Sequence, residues 1–176
     1  MDLVTKAFMV ARLNHKNQKT KVKKFPFFTH PLRVANILIQ EGAKEELICA
    51  GLLHDTVEDT NLSITAIKKK FGINISSLVE FATEDMSKPW EVRKEEMIRA
   101  CKSCSKEKLL LEFADKLANL EMLNDEFVEY GSKVFSKRGK KHIEDYYKRM
   151  FLIFKKRLPK LKNLHKYKLL FDNLFN

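Results

Sequence analysis

The sequence predicts an all-α domain, and three observations predict it. Apolar residues recur three and four positions apart along most of the 176 residues, glycine and proline number only 5 and 4, and no alternating run is bounded by turn residues as a strand would be. A chain of this length buries its own core and leaves no room for a second catalytic domain.

Each element follows from local signals. Residues 2–14 form a first helix that buries Leu3, Ala7, Phe8, Val10 and Ala11, and a lysine-rich loop follows it. Thr29-His30-Pro31 marks a helix start, with Thr29 as N-cap and the proline in the first turn, where its missing N–H costs nothing. Gly42 closes that helix. The next helix runs from about residue 44 through His54-Asp55 and frays near Asp59-Thr60. Ser63 caps a short helix ending at Gly72, and residues 73–83 form another. Pro89 ends the following stretch, because proline disfavours helical geometry in the residue before it. Helices over residues 91–102, 107–124, 139–156 and 160–174 complete the set.

Charge and cysteine content narrow the class. With 34 Lys and Arg against 23 Asp and Glu, the net charge is +11, which favours polyanionic partners. Basic residues gather at 16–24, 68–70, 137–141 and 155–168. The last two clusters read as solvated helix faces, whereas the first lies just before the histidine motif, where a nucleotide needs cationic contacts. No apolar run approaches a membrane span, and the charged N-terminus lacks the cleavage site of a signal peptide. Cys49, Cys101 and Cys104 are odd in number, with no second pair to build a zinc knuckle, so they read as reduced structural thiols. A cytoplasmic protein with a small-molecule nucleotide substrate, no membrane and no dedicated nucleic-acid surface is expected.

Polar residues inside apolar helical runs are the informative anomaly, since a buried charge costs several kcal/mol unless something pairs with it. They are His30 in FFTHPLRVANIL, the His54-Asp55 pair with Glu58 and Asp59 in GLLHDTVEDT, and Asp115 with Asn119 in LLLEFADKLANL. In a continuous helix His54, Asp55, Glu58 and Asp59 share one arc of about 140°. Three carboxylates so placed repel one another unless a cation neutralises them. A histidine before proline is by itself more often a helix-start residue than a ligand; the four together point to a metal. Two imidazoles and two carboxylates from His30, His54, Asp55 and Asp115 suit Mn, Fe, Co or Zn and leave positions for water and substrate. Such a metal acidifies its water, and Glu58 and Asp59, one turn away, can orient or deprotonate it.

The order His, His-Asp, Asp, with the words HPLRVANIL, LLHDTVEDT and ADKLANL, resembles the HD phosphohydrolases, and among them the RelA/SpoT-type hydrolase domain and its small stand-alone relatives. The similarity runs on through FGINISSLVEFATEDMSKPWEVRKE toward Tyr147. A single helical HD-type hydrolase domain over residues 1–158 is expected, and residues 159–176, basic and rich in Leu and Phe, lie outside the similarity and read as a C-terminal helical extension docked on the same domain in preference to a partner-binding tail. The resemblance also implies Mn²⁺ held by His30, His54, Asp55 and Asp115, with Glu58 and Asp59 serving the attacking water. Asn119 matches a residue near the substrate ribose, Lys21 falls beside the base and Tyr146 near the phosphates. The implied activity is hydrolysis of (p)ppGpp to GDP or GTP and pyrophosphate. Rival readings are a phosphohydrolase acting on (p)ppApp or on the 2′-phosphate of NADPH, and a non-catalytic nucleotide or nucleic-acid binder, against which the intact Glu58 and Asp59 argue. Two departures stand out: Thr20-Lys21 replaces the family's Arg-Lys pair, and His142 stands where a more basic residue is expected one turn before Tyr146.

Overall fold

Helix α1 (Leu3–Asn14) opens the chain, N-capped by the Asp2 carboxylate, which accepts the Thr5 N–H at 2.8 Å. The structure, a computed structural model, describes residues 1–20 and 25–176. After α1 come α2 (Thr29–Gln40), α3 (Glu45–Leu53), the one-turn α4 (Thr56–Asp59), α5 (Ile64–Phe71), α6 (Ile73–Ala82) and α7 (Trp90–Cys101). Then follow the long α8 (Lys106–Tyr130), a 3-10 segment (Gly131–Phe135), α9 (Lys140–Arg157) and α10 (Leu164–Phe175). Among the described residues the only β-type pairing is an isolated bridge between Lys19 and Pro26, so the all-α expectation holds. Among the described residues no helix is long and apolar enough to cross a membrane.

Two apolar helices organise the rest. The sequence EELICAGLL buries Leu47, Cys49, Ala50, Gly51, Leu52 and Leu53, so α3 is enclosed on most of its surface, with α1, α2, α6 and α8 packed around it. Gly51 permits this closeness, because a Cβ there would stand 2.5 Å from Leu38 Cδ1 on α2. Helix α8 runs about 37 Å at the usual rise per residue and buries Leu109, Leu111, Phe113, Ala114, Leu117, Ala118 and Leu120. Helix α8 thereby carries Glu112, Asp115 and Lys116 into the interior, and α3 ends at the buried His54.

The observed boundaries differ from the sequence reading in instructive places. Thr29 is the first helical residue rather than the N-cap; its hydroxyl donates back to Pro26 O at 2.9 Å, and Phe28 occupies the cap position without a side-chain bond. Gly42 does end α2, with φ 77° and the Ala43 N–H reaching back to Leu38 O. Ser63 does cap α5, accepting the Ala66 N–H. Helix α8 continues six residues past Asn124 to Tyr130, because Phe127 packs on Phe135 with ring centroids 5.8 Å apart. Helix α10 begins at Leu164 rather than 160, since the Glu41 carboxylate accepts the N–H groups of Lys162 and Asn163 at 2.9 and 2.8 Å and holds them in a turn. Tyr167 of α10 is fully buried and donates its hydroxyl to Tyr147 O at 3.0 Å.

Candidate metal centre

The expected continuous helix over residues 44–59 is broken at His54-Asp55, and local chemistry breaks it. His54 Nδ1 donates to Gly51 O at 2.8 Å, and the Thr56 hydroxyl donates to Leu53 O at 2.6 Å. Gly51 and Leu53 carry two of the carbonyls that a continuous helix would use, so side-chain donors displace the backbone ones. The interruption sets His54 and Asp55 in the joint between α3 and α4, instead of one arc shared with Glu58 and Asp59.

His30 from the first turn of α2 and Asp115 from the middle of α8 meet that joint. His30 Nε2 lies 3.2 Å from His54 Nε2, 3.0 Å from Asp115 Oδ1 and 3.5 Å from Asp55 Oδ2. His54 Nε2 lies 3.0 Å from Asp55 Oδ1 and 3.5 Å from Asp115 Oδ1. His30, His54 and Asp115 each offer a ligand atom within 4.8 Å of the others, and all three are buried. Donors about 2.1 Å from a common ion stand roughly 3.0–3.4 Å apart at octahedral or tetrahedral angles, and the spacings here match.

The donor chemistry fits a cation as well. With Nδ1 committed to Gly51 O, neutral His54 turns its Nε2 lone pair toward carboxylate oxygens, an arrangement that repels unless a proton or a metal lies between. Burial opposes a charge on His54, yet the Asp55 and Asp115 carboxylates outweigh it and hold its pKa well above the ordinary imidazole value. Burial likewise works against ionised Asp115, but the Lys116 ammonium and the two imidazoles keep its pKa well below the usual carboxylate range.

Around these four residues lies a shell that sequence reasoning largely missed. Lys116 is buried, donates to Asp115 Oδ2 at 2.5 Å and stands 3.1 Å from Glu112 Oε2 without hydrogen-bond alignment. Glu58 is half-buried, and its Oε2 accepts the Glu84 backbone N–H at 3.0 Å. Burial pushes its carboxyl above the ordinary glutamate range. The Glu84 carboxylate in turn binds Arg93 and Lys94. Asp59 is exposed, and its carbonyl accepts the Gln18 side chain at 2.6 Å.

The expected substrate contacts divide three ways. Asn119 does face Asp115, donating Nδ2 to Oδ1 at 2.8 Å, so its first task is to orient that carboxylate. Tyr146 is buried with its hydroxyl unpartnered, on the wall of a cavity of about 580 Å³. Lys21 lies outside the described residues. Thr20 is buried and closes the neck of its loop through two hydrogen bonds with the Phe25 backbone.

That cavity adjoins a more polar one of about 320 Å³, lined by His30, His54, Asp55, Glu58, Asp59 and Asp115. Phe27, Asp59, Trp90, Lys94, Asn119 and Arg138 are among the residues common to both. Arg138 corrects the reading of its cluster as a solvated face: Gly139, at φ 76°, turns the chain into α9, and the guanidinium rests 5.1 Å from the Trp90 ring centroid. His142 points elsewhere, being exposed and hydrogen-bonded to Arg138 O. The cluster at 155–168 is not wholly solvated either, since Arg157 donates to the carbonyls of Cys101 and Cys104 and Lys166 pairs with Glu121.

Known proteins show the same arrangement of chain. The guanosine-3′,5′-bis(diphosphate) 3′-pyrophosphohydrolase of Xenopus tropicalis is 40% identical over 124 residues, covering 69% of this chain and 69% of its own. The Homo sapiens protein of that name is 34% identical over 124 residues, with the same coverage of both. A solved structure described as a metazoan orthologue of SpoT that hydrolyses ppGpp superposes with TM-score 0.82 at 27% identity, over 99% of this chain and 94% of that one. A crystal structure from Listeria monocytogenes EGD-e gives 0.76 at 33% identity, over 83% and 98%. A family model described as HD domain matches residues 7–140, from α1 to the first residue of α9. That span takes in both histidines and both aspartates of the buried cluster, and the chain belongs to the HD domain family.

Proposed function

We propose that this protein hydrolyses guanosine 3′,5′-bis(diphosphate) at its 3′ position, releasing pyrophosphate and leaving GDP. The observation that carries this reading is the joining of two compartments: a polar one around the His30, His54, Asp55 and Asp115 cluster, and a larger, more apolar one walled by Phe27, Leu123, Tyr146 and Tyr147. The first suits a phosphorylated group and the second a nucleoside. Relatives named for this activity, over most of the chain, support the same reading.

His30, His54, Asp55 and Asp115 would hold the divalent cation, and their mixed nitrogen and oxygen donors suit Mn²⁺, with Fe, Co and Zn within the same donor preference. Such a cation supplies Lewis acidity, withdrawing charge from a phosphoryl oxygen and making water more acidic. Glu58 is the base. Its Oε2 is occupied by the Glu84 N–H, which leaves Oε1 to take a proton from water, and its raised pKa makes it a stronger base than a free glutamate. Asp59, at the junction of the compartments, orients that water. As water adds to phosphorus, the bond from the 3′ oxygen to phosphorus breaks, the 3′ oxygen takes a proton from solvent to become the hydroxyl of GDP, and Glu58 returns to solvent the proton it took.

Asn119 keeps Asp115 in register with Nδ2 and has its amide oxygen and second hydrogen left for a ribose hydroxyl. Tyr146 offers a protonated hydroxyl to a phosphate, since burial pushes its pKa well above the ordinary phenol value. Lys21 lies outside the described residues, and its assignment to the base rests on the resemblance alone. The three free cysteines, two of them buried, accord with a reducing cytoplasm.

Product analysis with Mn²⁺ and a nucleotide panel tests the reading. GDP and intact pyrophosphate from ppGpp are expected, with the 5′-diphosphate untouched. Stepwise orthophosphate release, or an inert ppGpp beside NADPH dephosphorylation, would overturn it.

A further inference from the structure

Asp59 ends α4, a helix of a single turn that has little to hold it in place. Its N–H bonds to Asp55 O at 2.9 Å, and Thr60 beyond it is already extended at φ −137°. A helix leaves its last carbonyls to partners outside it, and here the partner comes from 41 residues earlier in the chain. The Gln18 side chain, in the loop after α1, donates Nε2 to Asp59 O at 2.6 Å. Glu58 is tethered from the other side, by the Glu84 N–H at 3.0 Å. The two carboxylates of this turn are thus placed by separate parts of the chain.

Gln18 is itself held at three points. Its N–H bonds to His15 O at 3.0 Å, its carbonyl accepts the Phe27 N–H at 2.9 Å, and its Oε1 lies 2.6 Å from His15 Nδ1. Only the amide nitrogen can donate to Asp59 O, so the amide oxygen faces the imidazole and accepts the Nδ1 proton. His15 is 1% exposed, packs its ring on Phe27 with centroids 5.1 Å apart, and leaves Nε2 buried without a partner. An apolar side chain would fill that space without an orphaned nitrogen, which is destabilising. What the imidazole adds is a donor that fixes which way the Gln18 amide faces.

We propose that Gln18, oriented by His15, is a positioning residue for the hydrolytic step: it anchors the backbone of Asp59 and so aims the Asp59 carboxylate at the attacking water. The proposal rests on the hydrolase reading above and extends its machinery to the loop after α1. Gln18 also lines the large cavity, but both ends of its amide are already engaged, so its effect falls on turnover rather than on substrate binding.

The test uses the Mn²⁺-loaded full chain with ppGpp. Gln18→Met keeps the length of the side chain and removes both amide bonds; kcat should fall about tenfold, as expected for a lost hydrogen bond, with KM within about twofold and metal content as in wild type. His15→Leu leaves Gln18 in place with its amide released, so kcat should fall about threefold, while the melting temperature is no lower because the orphaned nitrogen is gone. A double-mutant cycle on kcat decides the route of action. Added to Asp59→Asn, Gln18→Met should cost no further activity, because no carboxylate is left to misplace. Additive losses, an unchanged kcat in Gln18→Met, or an effect confined to KM would overturn the proposal. If wild type leaves ppGpp intact but hydrolyses another nucleotide of the panel, the substrate reading falls, and the same cycle run on that nucleotide decides the role of Gln18. No turnover of any nucleotide would overturn both.

Discussion

Thr56→Val removes one hydroxyl from a fully buried position and keeps the side-chain shape. In the native chain that hydroxyl donates to Leu53 O at 2.6 Å and helps hold the joint between α3 and α4 open. Losing the donor leaves a buried carbonyl short of its partner, a cost of about 1–3 kcal/mol. For a chain of this size, roughly 2 kcal/mol corresponds to a melting temperature lower by about 4–8 °C. The functional effect should exceed the thermal one. With Leu53 O free to accept a backbone N–H, α3 can run on into α4, which rotates Asp55 and Glu58 about the helix axis by as much as a helical continuation demands. Metal content after gel filtration and kcat with saturating Mn²⁺ should therefore both fall. Thr56→Ser keeps the hydroxyl and loses a methyl, so it should lose about 1 kcal/mol while retaining metal and turnover. If Thr56→Val melts as wild type with full metal content, or if Thr56→Ser loses metal as readily, the joint is not held by this hydrogen bond.

Three further outcomes follow from the cluster. Chelation should abolish turnover and lower the melting temperature, because a ligand of the native state at a hundred times its Kd stabilises by about 2.7 kcal/mol; unchanged activity in metal-free buffer would refute the centre. Glu58→Gln and Asp59→Asn should lower kcat by about a hundredfold or more with metal content near normal, whereas Asp55→Asn and Asp115→Asn should lose metal too; equal metal loss in both pairs would show the roles to be misassigned. The raised Glu58 pKa has two signs to check: ionised Glu58 is the active form, so kcat should fall as pH drops through a value above the ordinary glutamate pKa, and native stability from this group is present at low pH and lost as pH rises through that value. Glu58→Gln should remove that acid limb from the profile and gain relative stability above it, as pH–rate and urea titrations would show.

The four cluster residues and Asn119 were legible because a polar side chain inside an apolar helical run is a local contradiction that only pairing resolves. His30, His54, Asp55 and Asp115 do converge, and the all-α class follows from periodicity alone. Lys116, Glu84, Arg93 and Arg138 were not legible. In a chain with 34 Lys and Arg, nothing local separates a lysine held within 2.5 Å of Asp115 from one on a solvated face. Helix α8 also outran its expected end, because the contact holding its last turns comes from Phe135, beyond the helix itself.

Periodicity and composition thus determined the helices, the class and which side chains needed a partner, since those depend on spacing along one element. Tertiary structure decided which partner each received: the joint at His54-Asp55, the hydrogen bond from Asn119 to Asp115, the burial that raises Glu58, and the turn at Gly139 that lays Arg138 on Trp90. The physical reason is that desolvation and Coulomb attraction depend on distance through space, and α2, α3, α7 and α8 set those distances only once their apolar faces have packed.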